Sequence, residues 1–158
     1  MVLFSNEETL EYMEKQSDKG SEILISTFGI WAGIKKGQIL SFSSIHKLLN
    51  QFQEDKKKVS ILVGKPTLQY CKENCSDCES KFNQVIERIV LHSKHWKQFK
   101  WKISDGIHLK AFLVKSRNGW EGISGSRNLS GSSWEEAMIE LNEPDAHLIA
   151  NRINQLLK

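Results

Sequence analysis

The apolar positions of the chain recur with two different periods, one typical of helices and one typical of strands. Residues 79–97 carry apolar side chains at three- and four-residue intervals, which predicts an amphipathic helix. Further helices are predicted over 6–17, around 45–52 and over 145–157. Short apolar or alternating runs predict strands at 23–27, 59–63, 100–104, 107–114, 120–125 and 136–141. Helices interspersed with strands predict an α/β fold, a mixed β-sheet sandwiched between helices, in a single domain over 1–158.

Two glycine-containing dipeptides predict tight turns beside the predicted strand at 107–114. Asp105-Gly106 precedes it and Asn118-Gly119 follows it. Because side chains alternate between the two faces of a strand, His108 and Lys110 are expected side by side on one face. The opposite face carries the apolar residues Ile107, Leu109, Ala111 and Leu113. An imidazole beside an ammonium is a poor choice for a core unless the two groups share an anion.

Composition and charge narrow the class of protein. Apolar residues make up 39% of the 158 positions and charged residues 26%, which is typical of a globular domain. The apolar runs are far shorter than the roughly 20 residues that cross a bilayer, so no membrane partner is expected. The amino terminus becomes acidic within a few residues and does not resemble a signal peptide, which predicts a cytoplasmic protein. A net charge of +3 permits an anionic partner without requiring one.

The basic excess is concentrated between Lys94 and Arg117, where Asp105 is the only acidic residue and Trp96, Phe99 and Trp101 are interleaved. Basic residues mixed with aromatics suit a nucleic-acid surface. The alternative is a solvated strand face whose aromatic side chains belong to the core. On the first hypothesis the nucleic-acid-binding residues are Lys94, Lys97, Lys100, Lys115 and Arg127.

A second group of polar residues follows the strand at 120–125. The stretch G125-S126-R127-N128 combines a glycine, which lets the backbone approach a ligand closely, with two neutral hydrogen-bonding side chains at Ser126 and Asn128. With His108 and Lys110 these residues make a candidate phosphate site. A histidine near a lysine is weak evidence alone, but H-x-K on a strand followed by G-S-x-N is a specific pattern.

H108-L-K110 followed by G125-S126-R127-N128 resembles the HxK…GSxN motif of the phospholipase D superfamily. In size the chain is similar to the single-motif branch, which comprises Nuc-type bacterial endonucleases and the catalytic domains of metal-independent restriction enzymes. The resemblance implies a phospholipase D-like fold with one motif per chain. It departs from the fuller motif at Lys115, where an aspartate is usual, and this weakens the phospholipase interpretation more than the nuclease one.

The resemblance also implies a role for each matching residue. His108 would attack phosphorus, forming a phosphohistidine, or protonate the leaving oxygen. Lys110 and Asn128 would hold the phosphate oxygens, and Ser126 would support the phosphate or the opposing histidine. A glutamate that orients a histidine is expected at Glu135, although Glu136 would take that role if the assignment is off by one residue.

The function predicted from this resemblance is metal-independent endonucleolytic hydrolysis of DNA. Because one chain carries one H-x-K on a predicted strand that is paired with G-S-x-N, and the chemistry needs two histidines, the resemblance implies a site shared across a homodimer. No cofactor is expected for catalysis. The alternatives are a phospholipase D-type phosphodiesterase acting on lipid headgroups and a non-catalytic DNA-binding module of the same fold.

Three cysteines form a separate cluster at Cys71, Cys75 and Cys78. Their spacing suits a structural zinc site that takes a fourth ligand from elsewhere. A surface disulfide formed on isolation and simple buried thiols are the alternatives. The remaining histidines are expected to be structural or surface groups at His46 and His147, and to edge a binding surface at His92 and His95.

Overall fold

A computed structural model of the chain describes residues 3–4, 6–28, 48–65, 83, 86–87, 90, 93–105, 107–125 and 138–158. Seven strands lie within these ranges: β1 (Leu3–Phe4), β2 (Glu22–Phe28), β3 (Lys58–Lys65), β4 (Phe99–Asp105), β5 (Ala111–Ser116), β6 (Gly119–Gly125) and β7 (Met138–Glu140). The helices are α1 (Asn6–Ser17) and a C-terminal helix (Glu143–Leu157), and residues 48–54 are also helical. No helix in the described ranges is long and apolar enough to span a bilayer.

The seven strands form one mixed sheet in the order β1-β7-β6-β5-β2-β3-β4. β2, β3 and β4 are parallel, and the remaining neighbours are antiparallel. Parallel neighbours need crossover connections, and helical residues lie between β2 and β3 at 48–54 and between β3 and β4 at 83, 86, 87, 90 and 93. The predicted α/β fold with a mixed sheet is confirmed.

Apolar side chains cover both faces of this sheet. On one face Ile25 and Ile61 pack with Met13 of α1 and with Phe52, while on the other Leu62 packs with residues of the C-terminal helix such as Ile153. A strand buried on both faces is apolar at nearly every position, which is why six consecutive residues of β3 are buried. The sandwich of helices around the sheet is therefore also confirmed.

Most predicted elements agree with the structure to within a few residues, and α1 has the predicted bounds. The C-terminal helix begins two residues before the predicted start because Asn142 caps it. The Asn142 side-chain oxygen accepts a hydrogen bond of 2.9 Å from the Asp145 amide, and Pro144 lies in the first turn, where a proline is tolerated. β1 was not predicted, and it pairs with β7.

The predicted helix over 79–97 extends too far. The last helical residue that the structure describes there is Ser93, and turns follow at 94–95 and 97–98. The reason is Trp96, which is 5% exposed, stacks on Phe99 at 4.8 Å between ring centroids, and donates a hydrogen bond of 3.1 Å from its indole N–H to the Lys57 carbonyl. These contacts fix the entry into β4 and end the helix.

The two predicted turns have different outcomes. Asn118-Gly119 lies in the β5–β6 hairpin, where Ser116 pairs with Gly119 and Gly119 has φ of 116°, a conformation that favours glycine. The strands on either side of Asp105-Gly106 are not neighbours, because β2 and β3 lie between β4 and β5. These two strands therefore do not form a hairpin, and the turn itself stays a prediction because Gly106 lies outside the described residues.

Candidate functional site

One end of the sheet collects the termini of six strands. We define the site edge by these termini: Phe28, Lys65 and Asp105 at the carboxyl ends of β2, β3 and β4, Ala111 at the start of β5, Gly125 at the end of β6 and Met138 at the start of β7. In open α/β sheets, ligands bind beyond the carboxyl ends of the parallel strands. The segment that contains His108 and Lys110 leads directly into β5 at this edge.

The predicted strand at 107–114 is shorter than expected, because residues 107–110 lie outside regular secondary structure and β5 begins at Ala111. The hydroxyl of Ser26, which is 2% exposed, donates a hydrogen bond of 2.7 Å to the Leu109 carbonyl. A side chain of β2 thus takes the place of a backbone donor, and the ladder between β2 and β5 ends. Ile107 and Leu109 still pack in the same apolar cluster as Ala111, as the alternation predicted.

Two hydrogen bonds to one main-chain carbonyl connect the two halves of the motif. The Gly125 amide donates a hydrogen bond of 3.2 Å to the Lys110 carbonyl, and the Ser124 hydroxyl donates one of 2.8 Å to the same oxygen. The last residue of H-x-K is therefore held against the first residue of G-S-x-N. The sequence pattern identified both halves, and the structure brings their backbones into contact.

The two ionisable side chains of H-x-K differ in exposure. His108 is exposed, whereas Lys110 is half-buried. The Lys110 ammonium donates a hydrogen bond of 3.0 Å to the His108 carbonyl, so the lysine side chain lies back along its own segment. An ammonium carries three donors, and one of them orients this group beside His108.

The other predicted members of the site lie outside the described residues. These are Ser126, Arg127, Asn128 and Glu135, together with Glu136. The described residues on either side, Gly125 and Met138, are register partners at the site edge. The chain thus leaves the site edge after Gly125 and returns to it at Met138, and the roles of the residues between them stay predictions.

The predicted nucleic-acid-binding lysines lie away from the site edge. Lys94 and Lys97 precede β4 and Lys100 is its second residue, while Lys115 pairs with Glu22 at the amino end of β2. All four are exposed. The aromatic residues among them belong to the core: Trp96 and Phe99 are buried, and Trp101 packs against them. Among the described strands β4 lies at an edge of the sheet, and lysines also protect such an edge from pairing with other chains.

The hydroxyls of Ser26 and Ser124 anchor the H-x-K segment and were missed by the sequence analysis. Ser26 had a signal, since it is a polar residue within the apolar run of β2. Ser124 had none, because a serine near the end of a half-exposed strand is ordinary.

The histidines and cysteines outside the motif make no described site. His95 lies in the turn before β4 and His147 on the C-terminal helix, and both are exposed. The cysteines Cys71, Cys75 and Cys78 and the histidines His46 and His92 lie outside the described residues. Within the described ranges no three His, Cys, Asp or Glu side chains are grouped to hold a metal ion. The zinc site stays a prediction.

Comparison with known proteins supports the fold. No family model matches the chain, and no curated protein matches it. Among solved structures the chain is similar to TrmBL2, described as an archaeal chromatin protein with a novel mode of DNA binding, with a TM-score of 0.51 and 14% identity. The alignment covers 98% of this chain and 51% of that chain, so this chain spans about half the length of TrmBL2. Identity this low shows a shared fold and nothing about activity.

Proposed function

We propose that the chain binds DNA and holds a backbone phosphate at the site edge. The observation that carries the proposal is the hydrogen bond from the Gly125 amide to the Lys110 carbonyl, which joins the two halves of the motif. Lys110 supplies a cation beside exposed His108, and the stretch that begins at Gly125 supplies neutral donors. DNA is favoured over other phosphates by the exposed lysines and by the fold shared with TrmBL2, which is described as DNA-binding.

Hydrolysis of the bound phosphodiester is a second candidate function, and it is favoured by the exposure of His108 beside Lys110. In the proposed reaction an imidazole nitrogen of His108 attacks phosphorus, and a second imidazole protonates the leaving oxygen. That second imidazole then deprotonates water, which attacks phosphorus and releases His108. One chain supplies one imidazole in an H-x-K that lies on the segment leading into β5. By the resemblance to the single-motif branch, the second imidazole is proposed to be His108 of another copy of the chain, related by a twofold axis.

Binding is tested with duplexes of different lengths in EDTA, by fluorescence anisotropy. β2 has seven residues, so the site edge lies roughly 20 Å from the opposite end of the sheet at about 3.3 Å per residue. With phosphates about 3.4 Å apart along each strand, a duplex needs about six base pairs to reach both ends.

Lys110→Ala should weaken binding to short and long duplexes alike and lower the salt slope by about one. Lys100→Ala should weaken only the longer ones. Lys158→Ala, an exposed lysine at the C-terminus, is the matched control. If Lys110→Ala binds every duplex as the control does, the phosphate does not lie at the site edge.

Hydrolysis is tested with plasmid, single-stranded DNA and RNA in excess EDTA. The wild-type chain should cleave DNA, and His108→Ala should not, although its DNA affinity should stay within about twofold because the cations supply most of the phosphate attraction. His147→Ala should cleave normally. Sedimentation at the assay concentration checks the shared site, since a monomer with full activity contradicts it. Wild-type chain that binds DNA but does not cleave it would leave the binding proposal intact and refute the hydrolytic one.

A further inference from the structure

A cleft of about 260 Å³ opens at the end of the sheet opposite the site edge. It lies where the first half of β6 extends past β7: β7 pairs with Ile123–Gly125, and Trp120, Glu121 and Gly122 of β6 line the cleft. The end of α1 and the first turn of the C-terminal helix complete the walls. The volume is slightly below the range of about 300–1,000 Å³ for drug-sized ligands, so it suits a group the size of one side chain.

The charged residues that line this cleft are predominantly acidic. Three carboxylates, Glu121, Glu140 and Glu143, face one ammonium, Lys19. Lys19 lies 3.8 Å from Glu121, and within the described residues Glu140 and Glu143 have no ion-pair partner. The cleft therefore carries a net negative charge.

A buried amide supplies an independent sign of a ligand. Gln16 lines the cleft and is 7% exposed, and its side-chain oxygen has no hydrogen-bond partner. A buried acceptor without a donor costs about 1–3 kcal/mol, and a donor group of a ligand in the cleft that Gln16 lines would remove that cost. Acidic side chains alone would be an ordinary surface feature, but the unpartnered oxygen calls specifically for an N–H or O–H group.

The carboxylates that line the cleft also act on a second residue of α1, the helix that carries Gln16. Tyr12 lies four residues earlier on α1, on the same side of the helix. Burial raises the pKa of Tyr12 well above its usual value, and the carboxylates of Glu140 and Glu121 raise the pKa further. The negative charge of Glu140 and Glu121 is thus felt by the half-buried side chain of Tyr12.

We propose that this cleft binds an organic cation, the ammonium or guanidinium group of an amine ligand. Such a group provides N–H donors for the Gln16 oxygen and positive charge for Glu140 and Glu143. A bare metal ion is a poorer match, because no three carboxylate, imidazole or thiol side chains among the described residues are grouped as metal ligands. The cation can come from a free small amine or from a lysine or arginine of a second copy of this chain, and the same chemistry serves both.

The test uses putrescine and agmatine as ligands and 1,4-butanediol as the uncharged control, with calorimetry and thermal melts on the full chain at low salt. The diamine and agmatine should bind and the diol should not. Glu140→Gln should weaken binding by about three- to fivefold, because the carboxylate is exposed and screened. Gln16→Met should weaken binding by about tenfold. The ligand-free variant should melt no lower than wild type, since no buried hydrogen bond of the Gln16 oxygen is lost.

Glu14→Gln is the matched control, because it removes the same charge from an exposed site on α1 outside the cleft. If it weakens amine binding as much as Glu140→Gln does, the amines bind a diffuse acidic surface and the proposal is overturned. No binding by either amine, together with no self-association, also overturns it. Amine binding to a sedimenting monomer identifies a free ligand, whereas dissociation of a dimer by agmatine identifies a side chain of the second copy.

Discussion

Removing the Ser26 hydroxyl should loosen the H-x-K segment, although Ser26 itself is buried and is not proposed to contact a ligand. In Ser26→Ala the Leu109 carbonyl loses a donor at 2.7 Å, in surroundings where Ser26 is 2% exposed. Loss of a buried hydrogen bond of this kind costs about 1–2 kcal/mol. For a chain of this size that lowers the melting temperature by about 3–6 °C. DNA affinity should fall as well, because Lys110, one residue further on, is no longer held at the site edge.

Ser116→Ala is the control for this prediction. Ser116 lies at the other end of β5, is half-buried, and donates a hydrogen bond of 3.2 Å to the Gly119 carbonyl. Its loss should lower stability without changing DNA affinity, as measured by thermal melts and fluorescence anisotropy on both variants. The reasoning fails if Ser26→Ala binds DNA as well as Ser116→Ala does, or if it melts at the wild-type temperature.

Two further predictions concern stability. Gly122→Ala should destabilise the fold by about 3 kcal/mol in urea denaturation, because an added Cβ would collide with the Phe112 carbonyl across the β5–β6 ladder. If the variant is as stable as the wild type, the two strands separate easily and the reasoning is wrong. Tyr12 holds its proton in the folded chain at pH values where the unfolded chain has lost it, so stability should fall as the pH rises above about 10. Tyr12→Phe should reduce that fall, and identical pH profiles would contradict the raised pKa.

The elements of this fold could be predicted where the burial pattern is simple. β2 and β3 are covered on both faces, so their apolar runs identify them, and α1 was predicted with its observed bounds. The sheet order could not be predicted, because β4 pairs with β3 by a long crossover and not with β5, which follows it in the chain. Which strands become neighbours depends on packing between distant segments, and a turn dipeptide reports only on the residues around it.

The sequence showed the ionisable residues of the candidate site more clearly than the residues that hold them in place. His108 and Lys110 were identified from two positions on one face of a strand, and this pattern is local. The hydrogen bond from Ser26 to the Leu109 carbonyl joins residues 83 positions apart. A contact of that range leaves no periodic signal, and only the pairing of β2 with β5 shows why a hydroxyl stands at Ser26.

The β5–β6 hairpin gives a physical reason for the spacing between H-x-K and G-S-x-N. A two-residue turn sets Ser116 opposite Gly119, and the ladder then runs back until Ala111 faces Ser124. One step further, the Gly125 amide meets the Lys110 carbonyl. Two residues added to β6 alone would preserve the alternation of its faces but move Gly125 by about 7 Å along the strand. The separation of the two halves in sequence is therefore the length of this hairpin, and the turn at Gly119 helps set the position of Gly125 at the opposite end of the sheet.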